Sequence, residues 1–163
     1  MSTTTTLYSQ PGLEVSCVPT REPRISILRL DISTVSEDLD PAMEAIRAFF
    51  DTCSGRIVTH AHMSSDETPG MAQVMSVVRH LMELQTAMDT KLKGTIVQVG
   101  RRGKRLDWSL GLMNTLYKPT SERAARRVFE VVDTDEGAEQ ILEGILAHEA
   151  EKQARRRRTK RCV

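Results

Sequence analysis

Hydroxyl and carboxyl side chains crowd one short stretch of the chain, residues 64–70, which has the sequence SSDETPG. The stretch lies between an apolar run and a long amphipathic pattern, so it is predicted to join a strand to a helix. The free amides and the positive dipole end at the start of a helix attract anions. One chemistry for this turn is therefore to receive a phosphate, attached to a hydroxyl or carried by a ligand. The residues for that role are Ser64, Ser65, Thr68 and Gly70.

The same turn also has a purely structural interpretation. Thr68 has the side chain of an N-cap residue, and Pro69 suits the first position of a helix. Asp66 and Glu67 would then lie favourably beside the positive end of the helix dipole. A phosphate on this turn would repel both carboxylates, so modification would weaken the docking of a partner by charge. Both interpretations remain open from the sequence.

A second charged turn, residues 100–108, has the sequence GRRGKRLDW and follows a predicted strand. In open parallel sheets, ligands and partners bind where strands end, and the acidic turn leaves the sheet at that same edge. The basic turn either pairs with the acidic one in solvent or binds an anion or a phosphopeptide. The predicted partner surface is Asp66, Glu67, Met71, Arg101, Arg102, Lys104, Arg105 and Trp108.

Few other residues have the spacing of a catalytic or metal site. His60 and His62 would share one face of a strand, but no second pair of ligands accompanies them. Cys53 lacks a neighbouring base that would activate a thiol. The chain contains no P-loop, dinucleotide-binding fingerprint or Ser-His-acid motif. We therefore expect no catalytic residues, no metal and no cofactor, and we do not predict an enzyme.

The C-terminal end of the chain is strongly basic. Residues 151–163 hold seven Lys or Arg and one acid, a local charge of +6, whereas residues 1–150 hold 16 bases and 21 acids, a charge of −5. Such a tail is either simply solvated, or contacts a polyanion such as nucleic acid or an anionic membrane surface, or serves as a nuclear import signal. The predicted polyanion-binding residues are Lys152, Arg155, Arg156, Arg157, Arg158, Lys160 and Arg161.

The elements that position these residues alternate between strands and helices. Apolar patterns predict strands at 13–18, 24–33, 56–63, 94–100 and 127–133, and helices at 41–53, 69–92, 106–118 and from Asp133 onward. Strands separated by helices need crossover connections, and these produce a mostly parallel sheet. We therefore predict an α/β fold, a small, mostly parallel sheet of four to five strands with about four helices.

Three details of this prediction can be checked separately. The segment 13–18 is expected to be an edge strand, and 24–33 a buried central strand. The methionines of the long helix 69–92 occur at helical spacing, which favours a place in the core over a partner-binding groove. The last helix loses its apolar stripe after His148, so the residues beyond it are expected to form a solvated charged extension.

Length and composition favour one ordinary domain. The chain has 163 residues, of which 39% are apolar and 28% charged. We divide it into an N-terminal extension, 1–23, which includes the edge strand, a domain at 24–150 and the basic tail at 151–163. No run of about 20 apolar residues is present, and the first residues lack the pattern of a signal peptide. Three scattered cysteines do not form a disulfide framework, so we expect a cytoplasmic protein, with the nucleus as the alternative.

The order of elements and two short motifs resemble the STAS domain of anti-sigma factor antagonists and sulfate transporters. In that family a strand ends in an Asp-Ser-Ser-Gly phosphoacceptor turn, which matches residues 67–70 here. The family also closes with Gly-Leu-x-x-x-Leu, a short strand and Asp-Thr/Ser-x-x-x-Ala. The matching residues are Gly111, Leu112, Leu116, Phe129, Asp133, Thr134 and Ala138.

The resemblance, which covers residues 24–148, implies a non-catalytic protein-interaction domain. Phosphorylation or an anionic ligand at the turn before the long helix would regulate it, and a homo-oligomer is one form that its interaction could take. The alternative is a structural or assembly protein that contacts nucleic acid through its basic tail. A third class, a small lipid or nucleotide carrier, follows from the related CRAL-TRIO fold.

Overall fold

The computed structural model describes residues 3–22, 24–34, 38–64, 70–100 and 129–161. Within these ranges the chain forms six strands and four helices. The strands are β1 (Thr5–Gln10), β2 (Leu13–Pro19), β3 (Ile25–Ile32), β4 (Arg56–Met63), β5 (Leu92–Val99) and β6 (Phe129–Val132). The helices are α1 (Asp40–Thr52), α2 (Met71–Glu83), α3 (Gln85–Lys91) and α4 (Asp135–Arg161).

The six strands of the described residues form one mixed sheet in the order β1-β2-β3-β4-β5-β6. β1, β2 and β3 pair antiparallel, whereas β3, β4, β5 and β6 pair parallel. The α/β class and the mostly parallel sheet are therefore confirmed. The predicted helix at 106–118 and the first two residues of the predicted strand at 127–133 lie outside the described residues.

The N-terminal residues contribute a strand that the sequence pattern did not predict. β1 pairs with β2 through a tight turn at Pro11 and Gly12, and Gly12 adopts a φ of +83°, a conformation that residues with a Cβ disfavour. The Gly12 carbonyl also accepts a hydrogen bond from the amide of Ser33, at 2.8 Å. Because β2 has a neighbour on each side, the prediction that 13–18 is an edge strand is wrong, and β1 occupies that edge instead.

Helices α1, α2 and α3 cover one face of the sheet, called here the first face. Each crossover between β3, β4 and β5 steps in the same direction along the sheet, and right-handed crossovers of that kind place their helices on one side. The core of this face is built from buried apolar residues of both layers: Leu13, Val15, Leu28, Ala42, Met43, Ile46, Phe50, Ile57, Leu84, Met88 and Leu92. α1 begins within one residue of the predicted position.

Helix α4 packs on the opposite side of the sheet, the second face. Ala138 and Leu146 of α4 form a buried cluster with Ile25, Val58 and Ile96, which come from β3, β4 and β5. The approach is close because position 94 is glycine: a Cβ there would lie 2.5 Å from Cδ1 of Ile145. Gly94 thus lets the helix sit directly on β5.

The predicted single helix 69–92 is two helices and the start of a strand. α2 ends at Glu83, and Leu84 forms an irregular junction before α3, although the amide of Leu84 still bonds to the carbonyl of His80 at 3.0 Å. Leu92 is extended and pairs with Ile57 in the sheet. Periodicity did not find this end, because Leu92 fits the apolar stripe of the helix as well as the buried strand.

The C-terminal extension is helical, a detail that the sequence pattern left open. α4 continues without interruption to Arg161, about 40 Å from its start at 1.5 Å per residue. The basic residues of 152–161 are therefore held on a helix. Among the described helices, none has the length and apolar character needed to cross a bilayer.

Candidate functional site

The acidic and basic turns begin side by side at the edge of the sheet where the parallel strands end, the carboxyl edge. Met63 of β4 pairs with Val99 of β5, and the amide of Gly100 bonds to the carbonyl of Met63 at 3.1 Å. Ser64 bonds through its amide to the carbonyl of Ile32 at 2.9 Å. The chain thus leaves the sheet after residues 63 and 99 at adjacent points.

Most of the residues predicted for these two turns lie outside the described residues. This holds for the acceptor-turn residues Ser65 and Thr68, and for the remaining members of the partner surface other than Met71: Asp66, Glu67, Arg101, Arg102, Lys104, Arg105 and Trp108. Ser64, Gly70 and Met71 are described. The site can therefore be built from the two ends of the acidic turn and from the helix that follows it.

The start of α2 corrects the predicted capping. The helix begins at Met71 with Gly70 as its N-cap, so the prediction that Thr68 is the N-cap and Pro69 the first helical residue is wrong. The amide of Gly70 donates to Oε1 of Gln73 at 2.6 Å, which satisfies one donor at the helix start within the chain. Ser64 exposes its hydroxyl, which lies 3.4 Å from the carbonyl oxygen of Ile32.

Three methionines of α2 are exposed, against the expectation that they belong to the core. The exposed fractions are 50% for Met71, 47% for Met75 and 58% for Met82. At 100° per residue these side chains lie within about 40° of one another around the helix, and they span about 16 Å along it. We call Met71, Met75 and Met82 the methionine row. Met88 of α3 is buried, as expected.

A buried histidine fixes the position of α2 against α1. His80 is 8% exposed at its side chain and lies between Asp40 and Arg47 of α1. Its Nε2 is 3.1 Å from Oδ1 of Asp40, and its Nδ1 is 3.3 Å from Nη2 of Arg47. Arg47 can only donate, so Nδ1 accepts and Nε2 carries the hydrogen. Hydrogen bonds from His80 and from Ser76 hold the pKa of Asp40 below its ordinary value.

A polar network crosses the second face near the carboxyl edge, where α4 begins. On β3 the guanidinium of Arg29 makes a two-point contact with Asp31, at 2.8 and 3.0 Å. Nδ1 of His62 on β4 lies 3.3 Å from Oδ1 of Asp31. The pKa of Asp31 is lowered, because hydrogen bonds and the charges of Arg29 and His62 together outweigh the effect of its burial.

The same network continues across the sheet to α4. Nε2 of His60 lies 2.9 Å from Oε1 of Gln98 on β5, and Gln98 donates from its amide nitrogen to Asp135 at the start of α4. Gln98 is buried, with 6% exposure. Burial lowers the pKa of His60, which keeps the imidazole neutral near neutral pH.

Sequence analysis found only the two histidines of this network. Arg29 and Asp31 pair in register with His60 and His62, and Gln98 pairs with His62. These residues alternate along three strands, and this polar alternation is visible in the sequence. Only the order of the strands shows that the polar residues are neighbours. Among the described residues no group of three or more His, Cys, Asp or Glu side chains is arranged to hold a metal ion.

The basic tail meets the body at the opposite edge of the sheet, the amino edge, where the parallel strands begin. Arg56, the first residue of β4, forms an ion pair with Glu149 of α4, whose side chain is only 6% exposed. Beyond it Lys152 is partly buried, and Arg155 and Arg156 are exposed. For Arg157, Arg158, Lys160 and Arg161 only the helical backbone is described.

Comparisons of this chain with protein-family models, with curated proteins and with solved structures found no match. Functional conclusions therefore depend on the residues and geometry described above.

Proposed function

We propose that this protein is a non-catalytic, STAS-like protein-interaction domain of the cytoplasm that binds an amphipathic helix of a partner protein on the methionine row. The observation that carries this proposal is the exposure of Met71, Met75 and Met82 on one side of α2. Single exposed apolar residues are ordinary, but three large ones aligned over three helical turns are typical of a groove that receives a partner helix.

The chemistry of the row supports a protein partner. Methionine is unbranched and polarizable, so it adapts to the shape of an apolar surface. Charged residues border the row on one side, where Arg79 and Glu83 are exposed. Arg79 lies 3.3 Å from Asp40, and Glu83 pairs with Arg47. The apolar stripe of an amphipathic partner helix would pack on the methionine row. Its polar flank would then face the charged residues beside the row.

Regulation by an anion at residues 64–70 is part of this proposal. The turn leads directly into Gly70 and Met71, so Thr68, one of the candidate acceptors Ser64, Ser65 and Thr68, precedes the first methionine of the row by three residues in sequence. A phosphate on one of these acceptors adds about two negative charges near neutral pH. It would disfavour an acidic or apolar partner by repulsion and by the cost of removing its water.

The test is a full-length variant with Met71→Gln, Met75→Gln and Met82→Gln. Because the three side chains are exposed, the variant should unfold within a few degrees of the wild type in a thermal scan. Proteins recovered by affinity purification with the wild type should be lost with the triple variant. Ala147→Gln, an exposed change on α4 on the other face of the sheet, is the matched control and should keep those partners.

Two outcomes would contradict the proposal. If the triple variant recovers the same proteins as the wild type, the methionine row does not bind them. If the wild type is dimeric by light scattering and the triple variant is monomeric, the row is occupied by a second copy of this chain, not by a different protein.

A second candidate function is that of a structural or assembly protein that contacts nucleic acid. The observation that favours it is the continuation of α4 to Arg161, with Arg155 and Arg156 exposed. A helix holds its cations in a fixed arrangement, which reduces the entropy lost when they bind phosphates. The full-length chain with all seven tail bases changed to Gln should lose salt-dependent retention on DNA. Equal retention of this variant and the wild type would exclude the second function.

A further inference from the structure

Two arginines of the body lie together at the amino edge. Arg24 directly precedes β3, and Arg56 begins β4. The amide of Arg56 bonds to the carbonyl of Arg24 at 2.7 Å, so the two backbones are in contact. The side chain of Arg24 is exposed and, in the part of the chain that the structure describes, has no ion-pair partner.

Helix α4 brings further arginines to the same edge. Arg56 pairs with Glu149, which places this turn of α4 over the start of β4. Arg156 follows Glu149 by seven residues, so it lies on the same side of the helix and about 10 Å farther along it. Arg156 is exposed and, like Arg24, has no carboxylate partner among the described residues. Burial and then the positive charges of Arg156 and Arg24 lower the pKa of Arg56.

The composition of the α4 end limits the class of polyanion. Between 151 and 161 the only apolar residue is Ala154, whereas a helix that lies on a membrane needs an apolar face. The segment has no aromatic residue, and proteins that bind single strands use aromatic side chains to stack on the bases. A polyanion bound by charge alone, such as a duplex, suits this segment best.

The shape of the helix distinguishes between the two kinds of duplex. An α-helix with its side chains is about 10–12 Å wide, and the major groove of B-form DNA is about 12 Å wide. The major groove of A-form RNA is too narrow for such a helix. Arg155 and Arg156 are exposed neighbours about 100° apart around α4, so a helix in the groove would direct them toward different walls.

We propose that Arg24 and the α4 segment from Arg155 onward form one continuous surface for the phosphate backbone of double-stranded DNA, bound without regard to base sequence. This proposal rests on the second candidate function, and it adds a contact from the body of the domain. The tail helix occupies the major groove, and Arg24 contacts a phosphate of the strand that borders it. Arg56 bonds to Arg24 through its backbone and to Glu149 through its side chain, so it positions Arg24 relative to the tail helix.

The experiment measures binding of the full-length protein to a fluorescent duplex of mixed sequence as a function of salt concentration. Each phosphate contact contributes about 0.9 to the slope of log affinity against log salt. Arg24→Gln should therefore lower the slope by about 0.9 and weaken binding about five- to tenfold near 0.1 M salt. Arg79→Gln removes an exposed arginine of α2, on the other face of the sheet, and should leave the slope unchanged.

The outcomes separate the inference from the function on which it rests. If the wild type does not bind duplex DNA, both are overturned. If Arg24→Gln behaves like Arg79→Gln while the Gln-substituted tail abolishes binding, DNA binding stands and the contact from Arg24 is wrong. Tighter binding to duplex RNA or to anionic vesicles than to DNA would assign the surface to a different polyanion. Thermal scans should show that both single variants remain folded, since Arg24 and Arg79 are exposed.

Discussion

His60 donates a hydrogen bond from Nε2 to Oε1 of Gln98 at 2.9 Å, across two neighbouring parallel strands. The direction of this bond follows from the rest of the network. Gln98 uses its amide nitrogen to donate to Asp135, which leaves its Oε1 as the acceptor for His60. The network therefore fixes the neutral tautomer of His60 with its hydrogen on Nε2.

This arrangement predicts a loss of stability in mild acid. Burial lowers the pKa of His60 from its ordinary value of 6.5, so between those two pKa values the unfolded chain binds more protons than the folded one. The contribution of His60 to the free energy of unfolding is complete above about pH 6.5 and declines as the pH falls toward the folded pKa. Urea unfolding of the wild type at several pH values between about 7.5 and 5 should show this decline.

The variant His60→Gln supplies the comparison for this pH effect. It keeps a side chain that can donate to Gln98 but does not titrate, so its free energy of unfolding should depend less on pH in the same interval. If the wild type and His60→Gln lose stability in parallel as the pH falls, another group is responsible. An NMR titration of the His60 ring then gives the direct answer, since its midpoint should lie below 6.5.

A second prediction concerns the ion pair between Arg56 and Glu149. Glu149→Ala should lower the free energy of unfolding by about 2–3 kcal/mol, because it leaves Arg56 without a partner at a largely covered site. The matched control is Glu151→Ala on the same helix. Glu151 pairs with Arg155 at 2.6 Å, but both side chains are exposed, so the change should cost less than about 0.5 kcal/mol. Equal effects in urea unfolding would contradict this assignment.

Substitution of two glycines by alanine should change the stability of the protein in opposite directions. Gly94→Ala would place a Cβ 2.5 Å from Cδ1 of Ile145, so it should displace the end of that side chain and destabilise the protein by about 1 kcal/mol. Gly144 lies within α4, and a Cβ added there would meet no atom of the described residues within 4 Å. Gly144→Ala should therefore stabilise the helix by about 0.5–1 kcal/mol. Thermal scans compare the two, and destabilisation by both would show that α4 packs differently.

The sequence predicted the elements that repeat a simple pattern. β3, β4 and β5 are apolar runs of suitable length, and the crossovers between them required a parallel arrangement. β1 was not predicted because Thr5–Gln10 shows little apolar alternation and precedes a proline. β1 is stabilised by pairing with β2 and by packing of Leu7 and Tyr8 on the first face. The core residues that Leu7 and Tyr8 contact are mostly far away in sequence, so a local pattern does not reveal these contacts.

The candidate sites show where periodicity is insufficient. Met75 and Val78 both fit the apolar stripe of α2, yet Met75 is 47% exposed and Val78 is buried. Helical spacing identifies a side of the helix, but the width of the layer beneath it decides which residues of that side are covered. The network of Arg29, His60 and Gln98 was missed for a similar reason. These residues lie on three strands, and the pattern of one strand does not show which strands are its neighbours.

A final prediction concerns His80, which determines how α2 lies on α1. His80→Ala removes a buried ring and its bonds to Asp40 and Arg47, so it should lower the free energy of unfolding by about 2 kcal/mol. The neighbouring Arg79 also contacts Asp40, at 3.3 Å, but its side chain is exposed, and Arg79→Ala should cost less than about 0.5 kcal/mol. Urea unfolding measures both values.

Because α2 carries the methionine row, the two substitutions should also differ in hydrogen exchange. His80→Ala should speed exchange of the α2 amides while those of α4, which packs on the other face, change less. Arg79→Ala should leave both helices as protected as in the wild type. If His80→Ala speeds exchange equally in α2 and α4, His80 supports the whole domain and does not hold α2 in particular.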